Sequence, residues 1–155
     1  MKFFALFALC AAALLTGCDS VSTRVQERFS TVTPKTREFA AGRRVVFEAG
    51  QVAVKNVGLL LGRTSFAQGL IEAYAPIHPG DSTQDARQTT MRISLREADG
   101  GETEVALLVS EHTEGRFPGG VSEQDLREHS LYEIYFAALR QVLLENGALK
   151  ATEKP

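Results

Sequence analysis

The stretch that most restricts the fold is "MRISLREADGGETEVALLV", residues 91–109. Apolar and polar residues alternate with a period of two on both sides of Asp99-Gly100-Gly101, which is typical of two strands that each bury one face. A three-residue loop with glycine at a positive φ predicts an antiparallel hairpin. Its register then pairs Leu95 with Val105, Ile93 with Leu107, and Met91 with Val109.

The remaining side chains of this hairpin form the opposite face of the predicted sheet. Arg96 lies opposite Glu104 in the same register, which is a favourable cross-strand pair. A shift by one residue would destroy all of these matches at once. If helices cover one face only, the open face carries these residues: Arg92, Ser94, Arg96, Glu104, Ala106, Leu108 and Ser110.

Two further segments have helical spacing. In "RRVVFEAGQVAVKNVG", residues 43–58, apolar residues recur every three or four positions, and Gly58 is a suitable C-terminal stop. In "SLYEIYFAALRQVLLENG", residues 130–147, Ser130 with Glu133 fits a capping box and Gly147 fits the stop. Between the first helix and the hairpin, the apolar runs 59–63 and 69–77 predict two more strands, with "TSFAQ" as their turn.

The order helix, four strands, helix predicts the fold class. Short turns imply a four-stranded antiparallel meander, and helices at its two ends can cover one face. We therefore expect a two-layer α+β domain over residues 38–147, preceded by a signal peptide and a flexible tether. The segment 116–125 is predicted to be a loop, and residues 148–155 a disordered tail.

The chain begins with Met1-Lys2 and then an uncharged apolar run from Phe3 to Leu15. This run is shorter than the roughly 20 residues of a membrane-spanning helix. One basic residue, a short apolar core and small residues at the end of the segment are typical of a secretory signal peptide.

The segment ends with Leu15-Thr16-Gly17-Cys18, which resembles a bacterial lipobox. The resemblance implies that a signal peptidase cuts between Gly17 and Cys18, and that Cys18 carries diacylglycerol and usually an N-linked acyl chain such as palmitate. Residues 1–17 would then be removed, and 18–37 would be the lipidated terminus and tether. The alternative is an ordinary signal peptide with an accidental cysteine.

The implied location is the cell envelope, with the domain anchored to a membrane and facing the periplasm. Asp19 resembles an inner-membrane retention signal, but the choice between inner and outer membrane stays open. Of the two cysteines, Cys10 would be discarded and Cys18 lipidated, so the mature chain would hold no disulfide.

The stretches "REFAAGRRVVFEA", "GLIEAY", "TEVALLVSE" and "LYEIYFAALRQVL" resemble uncharacterised bacterial envelope lipoproteins with a small helix–sheet–helix domain. They are more distantly similar to the helix-grip modules in the accessory lipoprotein of the outer-membrane barrel-assembly machinery. The resemblance implies a non-enzymatic envelope module. One such domain is present here rather than a tandem pair.

Charge argues against a nucleic-acid partner. The chain has 17 basic and 19 acidic side chains, and no basic stripe interrupts this near balance. Loss of Lys2 with the signal peptide makes the remainder slightly more acidic.

No spacing typical of a catalytic or metal site occurs. His78, His112 and His129 are far apart in the sequence and belong to no H-E-x-x-H or C-x-x-C pattern. A G-x-S-x-G nucleophile elbow is also absent from the sequence. Glu102 and Glu104 lie on one strand face, but Arg96 balances one of them. We therefore expect no enzyme activity, no metal and no cofactor.

Two functions remain. The first is a lipid-anchored interaction module that binds another envelope protein through the open sheet face or an edge strand. The possible interaction surface consists of Arg92, Arg96, Glu104, Ala106 and Leu108. The alternative is a carrier that holds a lipid or other apolar ligand between sheet and helices, near Phe47, Tyr135 and Leu139. A carrier requires a cavity of about 300 Å³ or more.

Overall fold

The computed structural model describes residues 32–80, 85–115 and 120–149. The elements, in chain order, are β1 Lys35–Phe39, α1 Arg43–Asn56, β2 Leu60–Ser65, β3 Leu70–Tyr74, β4 Ala86–Glu97, β5 Thr103–Glu114, β6 Val121–Asp125 and α2 Ser130–Glu145. The predicted signal peptide, Cys18 and most of the predicted tether lie outside the described residues.

The hairpin of β4 and β5 has the predicted register. Leu95 pairs with Val105, Ile93 with Leu107, and Met91 with Val109. The connecting turn is Asp99–Gly101, in which Gly100 and Gly101 have φ of 78° and 83°. Both values lie in the left-handed region that glycine enters without steric cost, so the turn residues explain why the hairpin closes at this point.

The domain is α+β as predicted, and the four predicted strands, β2 to β5, form an antiparallel meander, but the sheet has six strands rather than four. Its order is β1-β5-β4-β3-β2, and β6 also pairs with β5. The strands missed are short: β1 falls across the predicted boundary at Glu38, and β6 in the predicted loop 116–125. Because their residues are mostly polar and exposed, neither has the alternation that marks a half-buried strand.

The two added strands share one edge of β5. β1 pairs with residues 103–107, and β6 pairs with residues 110–114. The side chain of Tyr132 from α2 fills the junction between them. The Val109 N–H donates to the Tyr132 hydroxyl at 3.1 Å, and that hydroxyl donates to the Leu126 carbonyl at 2.7 Å. The Leu126 N–H donates to the Val109 carbonyl at 2.8 Å, so the edge of β5 stays hydrogen-bonded across the gap.

The two helices lie side by side on one face of the sheet. α1 contacts β2, β3 and β4, while α2 contacts β5. Gly50 allows their close approach, because a Cβ there would stand 3.0 Å from the Tyr135 hydroxyl and 3.1 Å from Ile71 Cδ1. The core between the layers includes Val46, Val54, Ile71, Met91, Ile93, Val105, Leu107, Tyr132, Tyr135, Phe136, Leu139 and Leu143.

Both helix stops are confirmed, but the predicted start of α2 is wrong by one residue. Gly58 and Gly147 have φ of 82° and 67° just beyond the two helices. The N-cap of α2 is His129 rather than Ser130, and its ring Nδ1 accepts a hydrogen bond from the Leu131 N–H at 3.2 Å. An imidazole nitrogen can therefore fill the role that the sequence assigned to a serine hydroxyl.

The Tyr132 junction gives a first prediction. Tyr132→Phe removes a hydroxyl that serves the buried Val109 N–H and the half-buried Leu126 carbonyl, so it should lower the free energy of unfolding by about 1–3 kcal/mol. The matched control is Tyr135→Phe on the same helix, because the Tyr135 hydroxyl is buried and has no hydrogen-bond partner within residues 32–80, 85–115 and 120–149. That control should be neutral or slightly stabilising. Urea denaturation of the two variants measures both effects, and equal losses would contradict the bridging role.

Candidate interaction surface

The open face is the side of the sheet turned away from α1 and α2. Register places all five predicted surface residues on it, in the central strands β4 and β5. Arg96 lies opposite Glu104, and Arg92 lies opposite Leu108. Arg92 and Arg96 are exposed, while Glu104, Ala106 and Leu108 are half-buried by their neighbours. The structure therefore brings the predicted residues together as one surface.

Arg92 has an acidic partner that the sequence did not indicate. Glu72 on β3 lies beside it in register, and Glu72 Oε1 is 3.4 Å from Arg92 Nε. The Arg92 side chain is 63% exposed. Because an exposed ion pair contributes roughly 0–1 kcal/mol, its main effect here is to fix the positions of the two charges on the open face.

Ser110 differs from the other predicted open-face residues because it is buried. β6 lies beside it, and the Ser110 hydroxyl donates to Asp125 Oδ1 at 2.6 Å. Sequence reasoning missed this contact because it missed β6. The contact positions one acidic group at the edge of the open face.

An apolar pair extends the surface toward the other edge of the sheet. Leu60 on β2 lies opposite Tyr74 on β3, and the two residues are 51% and 37% exposed. A Cβ at Gly62 would stand 3.3 Å from the Tyr74 ring, so the ring covers the backbone of that glycine. The sequence indicated both strands but not which of their faces would be open.

Acidic residues outnumber basic residues on the open face. Register assigns it two basic side chains, Arg92 and Arg96, and six acidic side chains. The acidic residues are Glu38, Glu72, Glu104, Glu114, Glu123 and Asp125. Most of them lie on the half of the sheet formed by β1, β5 and β6.

The three histidines occupy separate positions. His129 caps α2, His78 forms a β-bridge with Arg87, and His112 lies on β5 between Gln88 and Glu123. Among the residues that the structure describes, no group of three or more His, Cys, Asp and Glu side chains could hold a metal ion.

The interior contains the residues suggested for a carrier. Phe47, Tyr135 and Leu139 are all buried in the core between sheet and helices. Among the described residues the Tyr135 hydroxyl has no hydrogen-bond partner, and burial raises its pKa well above the ordinary value of 10.0. The hydroxyl is therefore neutral at physiological pH and could still donate a hydrogen bond.

Comparisons with known proteins do not place the chain in a family. No protein-family model matches the sequence, and no curated protein matches it. A solved structure of a DUF4468 family protein from Bacteroides ovatus is similar over 83% of this chain and 98% of its own, with 9% sequence identity and a TM-score of 0.32.

In the described part of the chain, no helix is both long and apolar enough to cross a membrane.

The two faces of β5 can be tested with adjacent leucines. Leu107→Glu places a charge in the core and should unfold the domain. Leu108→Glu places the same charge opposite Arg92 on the open face, so it should change stability by less than about 1 kcal/mol. Circular dichroism and urea denaturation measure both outcomes. Comparable destabilisation by the two substitutions would contradict the assignment of the faces.

Proposed function

We propose that this protein is a lipid-anchored component of the bacterial cell envelope that acts as a non-catalytic interaction module. Its anchor would be Cys18, after removal of residues 1–17, and its domain would face the periplasm. The observation that carries the functional part is the open sheet face, since a two-layer domain leaves that large surface uncovered by its own helices. The partner would be another envelope protein.

The composition of the open face supports this assignment. Leu108 and Ala106 stand near its centre, Leu60 and Tyr74 extend the apolar area, and charged side chains surround them. An apolar centre with a polar rim is the usual layout of a protein interface. The Arg92–Glu72 pair places a positive and a negative charge side by side in this rim.

In the described residues, the side chains that could carry out catalysis are not grouped together, and this supports a non-catalytic role. The histidines serve a helix cap, a β-bridge and a strand position, and none is grouped with other metal-ligating side chains. General acid–base catalysis requires groups within hydrogen-bond reach of one reacting atom. The resemblance to envelope lipoproteins and barrel-assembly modules supports the same reading and stays a prediction.

A carrier is the second candidate, and one observation favours it. The Tyr135 hydroxyl is a buried donor without a partner in the part of the chain that the structure describes, and buried polar groups are normally hydrogen-bonded. A carbonyl, hydroxyl or carboxylate of a lipid-like ligand would satisfy it. Against this reading, the surrounding interior is filled by large apolar side chains, including Ile71, Phe136 and Leu139.

The anchor is tested by Cys18→Ala. The substitution removes the only thiol that remains after cleavage, so incorporation of a fatty-acid analogue in cells should be lost, and the precursor should accumulate. Ser20→Ala is the matched control and should be labelled like the wild type. Labelling of the Cys18→Ala protein would exclude the lipobox interpretation.

The interaction surface is tested by site-specific crosslinking in cells. A photoreactive amino acid at Ala106, on the open face, should give a discrete protein adduct, and Leu108→Glu should reduce its yield at least about tenfold through the charge buried in the interface. The same probe at Ile134, which is 49% exposed on α2, is the control and should give no such adduct. Equal adducts from both positions would contradict the assignment.

The carrier alternative is tested by native mass spectrometry of the purified domain. A carrier should retain a lipid-sized mass that Tyr135→Phe weakens and Leu108→Glu leaves unchanged. An interaction module should show no such mass. Co-purified lipid together with unchanged crosslinking of Leu108→Glu would therefore favour the carrier.

A further inference from the structure

Charge is distributed unequally between the two sides of the domain. Among the residues in helices and strands, leaving aside Arg63 at the register shift between Leu61 and Thr64 of β2, the open face has two basic and six acidic side chains. The helix side has seven basic and five acidic side chains. Its basic residues are Lys35, Arg37, Arg43, Arg44, Lys55, Arg87 and Arg140, and its acidic residues are Glu48, Glu97, Glu111, Glu133 and Glu145. The domain is therefore acidic on its sheet face and mildly basic on its helix side.

The outer surfaces of the two helices also expose aliphatic side chains. Val45 and Val52 on α1 are 39% and 44% exposed, and Ile134 on α2 is 49% exposed. Val45 and Val52 are two helical turns apart, so they lie on one stripe of α1. The exposed bases Arg44 and Lys55 flank this stripe.

The chain enters the domain beside this surface. The side chains of Lys35 and Arg37 on β1 reach α2, where Lys35 Nζ lies 4.7 Å from the centre of the Tyr132 ring and Arg37 Nη2 pairs with Glu133 at 2.5 Å. If Cys18 is the anchor, residues 19–34 allow the domain at most roughly 55 Å of separation from it. The two basic side chains at the strand where the chain enters the domain are therefore on the helix side.

We propose that the outer surface of α1 and α2, with the start of β1, rests on an anionic lipid bilayer, and that the open face points away from that membrane. This inference rests on the proposed function, because it takes Cys18 as the membrane anchor. It adds the orientation of the domain in which the open face is accessible to a partner. Arg44, Lys55 and Lys35 would lie near the lipid phosphates, and Val45, Val52 and Ile134 would contact the interfacial region.

The orientation would result from a weak attraction between the helix side and the bilayer, acting at the high local concentration of the domain that the tether imposes. A basic side chain near an anionic membrane contributes about fivefold to binding. Neither the few exposed bases nor three aliphatic side chains would hold a free domain at a membrane. A tether of this length raises the effective concentration, so a weak preference is sufficient to orient the domain. The acidic open face is repelled by the same surface, which favours the same orientation.

The native lysines allow a test without substitutions. The mature chain, residues 18–155, is coupled through Cys18 to a maleimide phospholipid in vesicles of phosphatidylcholine, with or without phosphatidylglycerol. Mass spectrometry follows acetylation of Lys35 and Lys55 and carbodiimide labelling of Glu104 and Glu123. With phosphatidylglycerol at low salt, both lysines should react about fivefold more slowly, and the two carboxylates should react at an unchanged rate. High salt should remove the difference.

Two substitutions with the same change of charge provide the controls. Arg44→Glu on α1 should abolish most of the lysine protection, whereas Arg96→Glu on the open face should retain it. Equal lysine reactivity on both kinds of vesicle, or protection of Glu104 and Glu123 instead, would overturn the orientation. Because the lipid is attached chemically, this result is independent of lipidation in cells. Absence of acyl labelling of the wild-type protein in cells would disprove the anchor, whereas loss of lysine protection on the vesicles would disprove the orientation.

Discussion

The pairing of β4 with β5 is the constraint on which the rest of the structure depends. Twelve consecutive residue pairs join them, from Ala86 with Glu114 to Glu97 with Thr103. Since side chains alternate between faces, this register decides which residues enter the core. Ile93 and Leu107 lie on the face of the sheet against which both helices pack, whereas Arg92 and Leu108 lie on the open face.

The length of β5 determines how the sheet is completed. Its outer edge is longer than either short strand can cover, so β1 and β6 pair with it end to end. The junction would leave the N–H and C=O of Val109 without strand partners, and unsatisfied backbone groups are costly when buried. Tyr132 and Leu126 supply those hydrogen bonds. One tyrosine thus connects the helix layer, both edge strands and the centre of the sheet.

The same division into two sides organises the functional proposals. One side of the sheet is covered by helices whose outer surface is mildly basic, and the other is left open and acidic. A domain tethered to a membrane gains a preferred orientation from such a separation of charge. In these proposals the open face would be presented to a partner in the periplasm. The interior, where the Tyr135 hydroxyl has no hydrogen-bond partner among the described residues, would be the alternative site of action.

The sequence by itself determined the features that depend on local pattern. Period-two alternation and the Asp99-Gly100-Gly101 turn specified the central hairpin, and helical spacing specified α1 and α2, because these signals come from neighbouring residues. Tertiary structure alone decided the rest. β1 and β6 are polar segments stabilised by the edge of β5, Glu72 meets Arg92 only across strands, and Asp125 reaches Ser110 only because β6 exists. Such contacts depend on residues distant in the chain, so no local pattern predicts them.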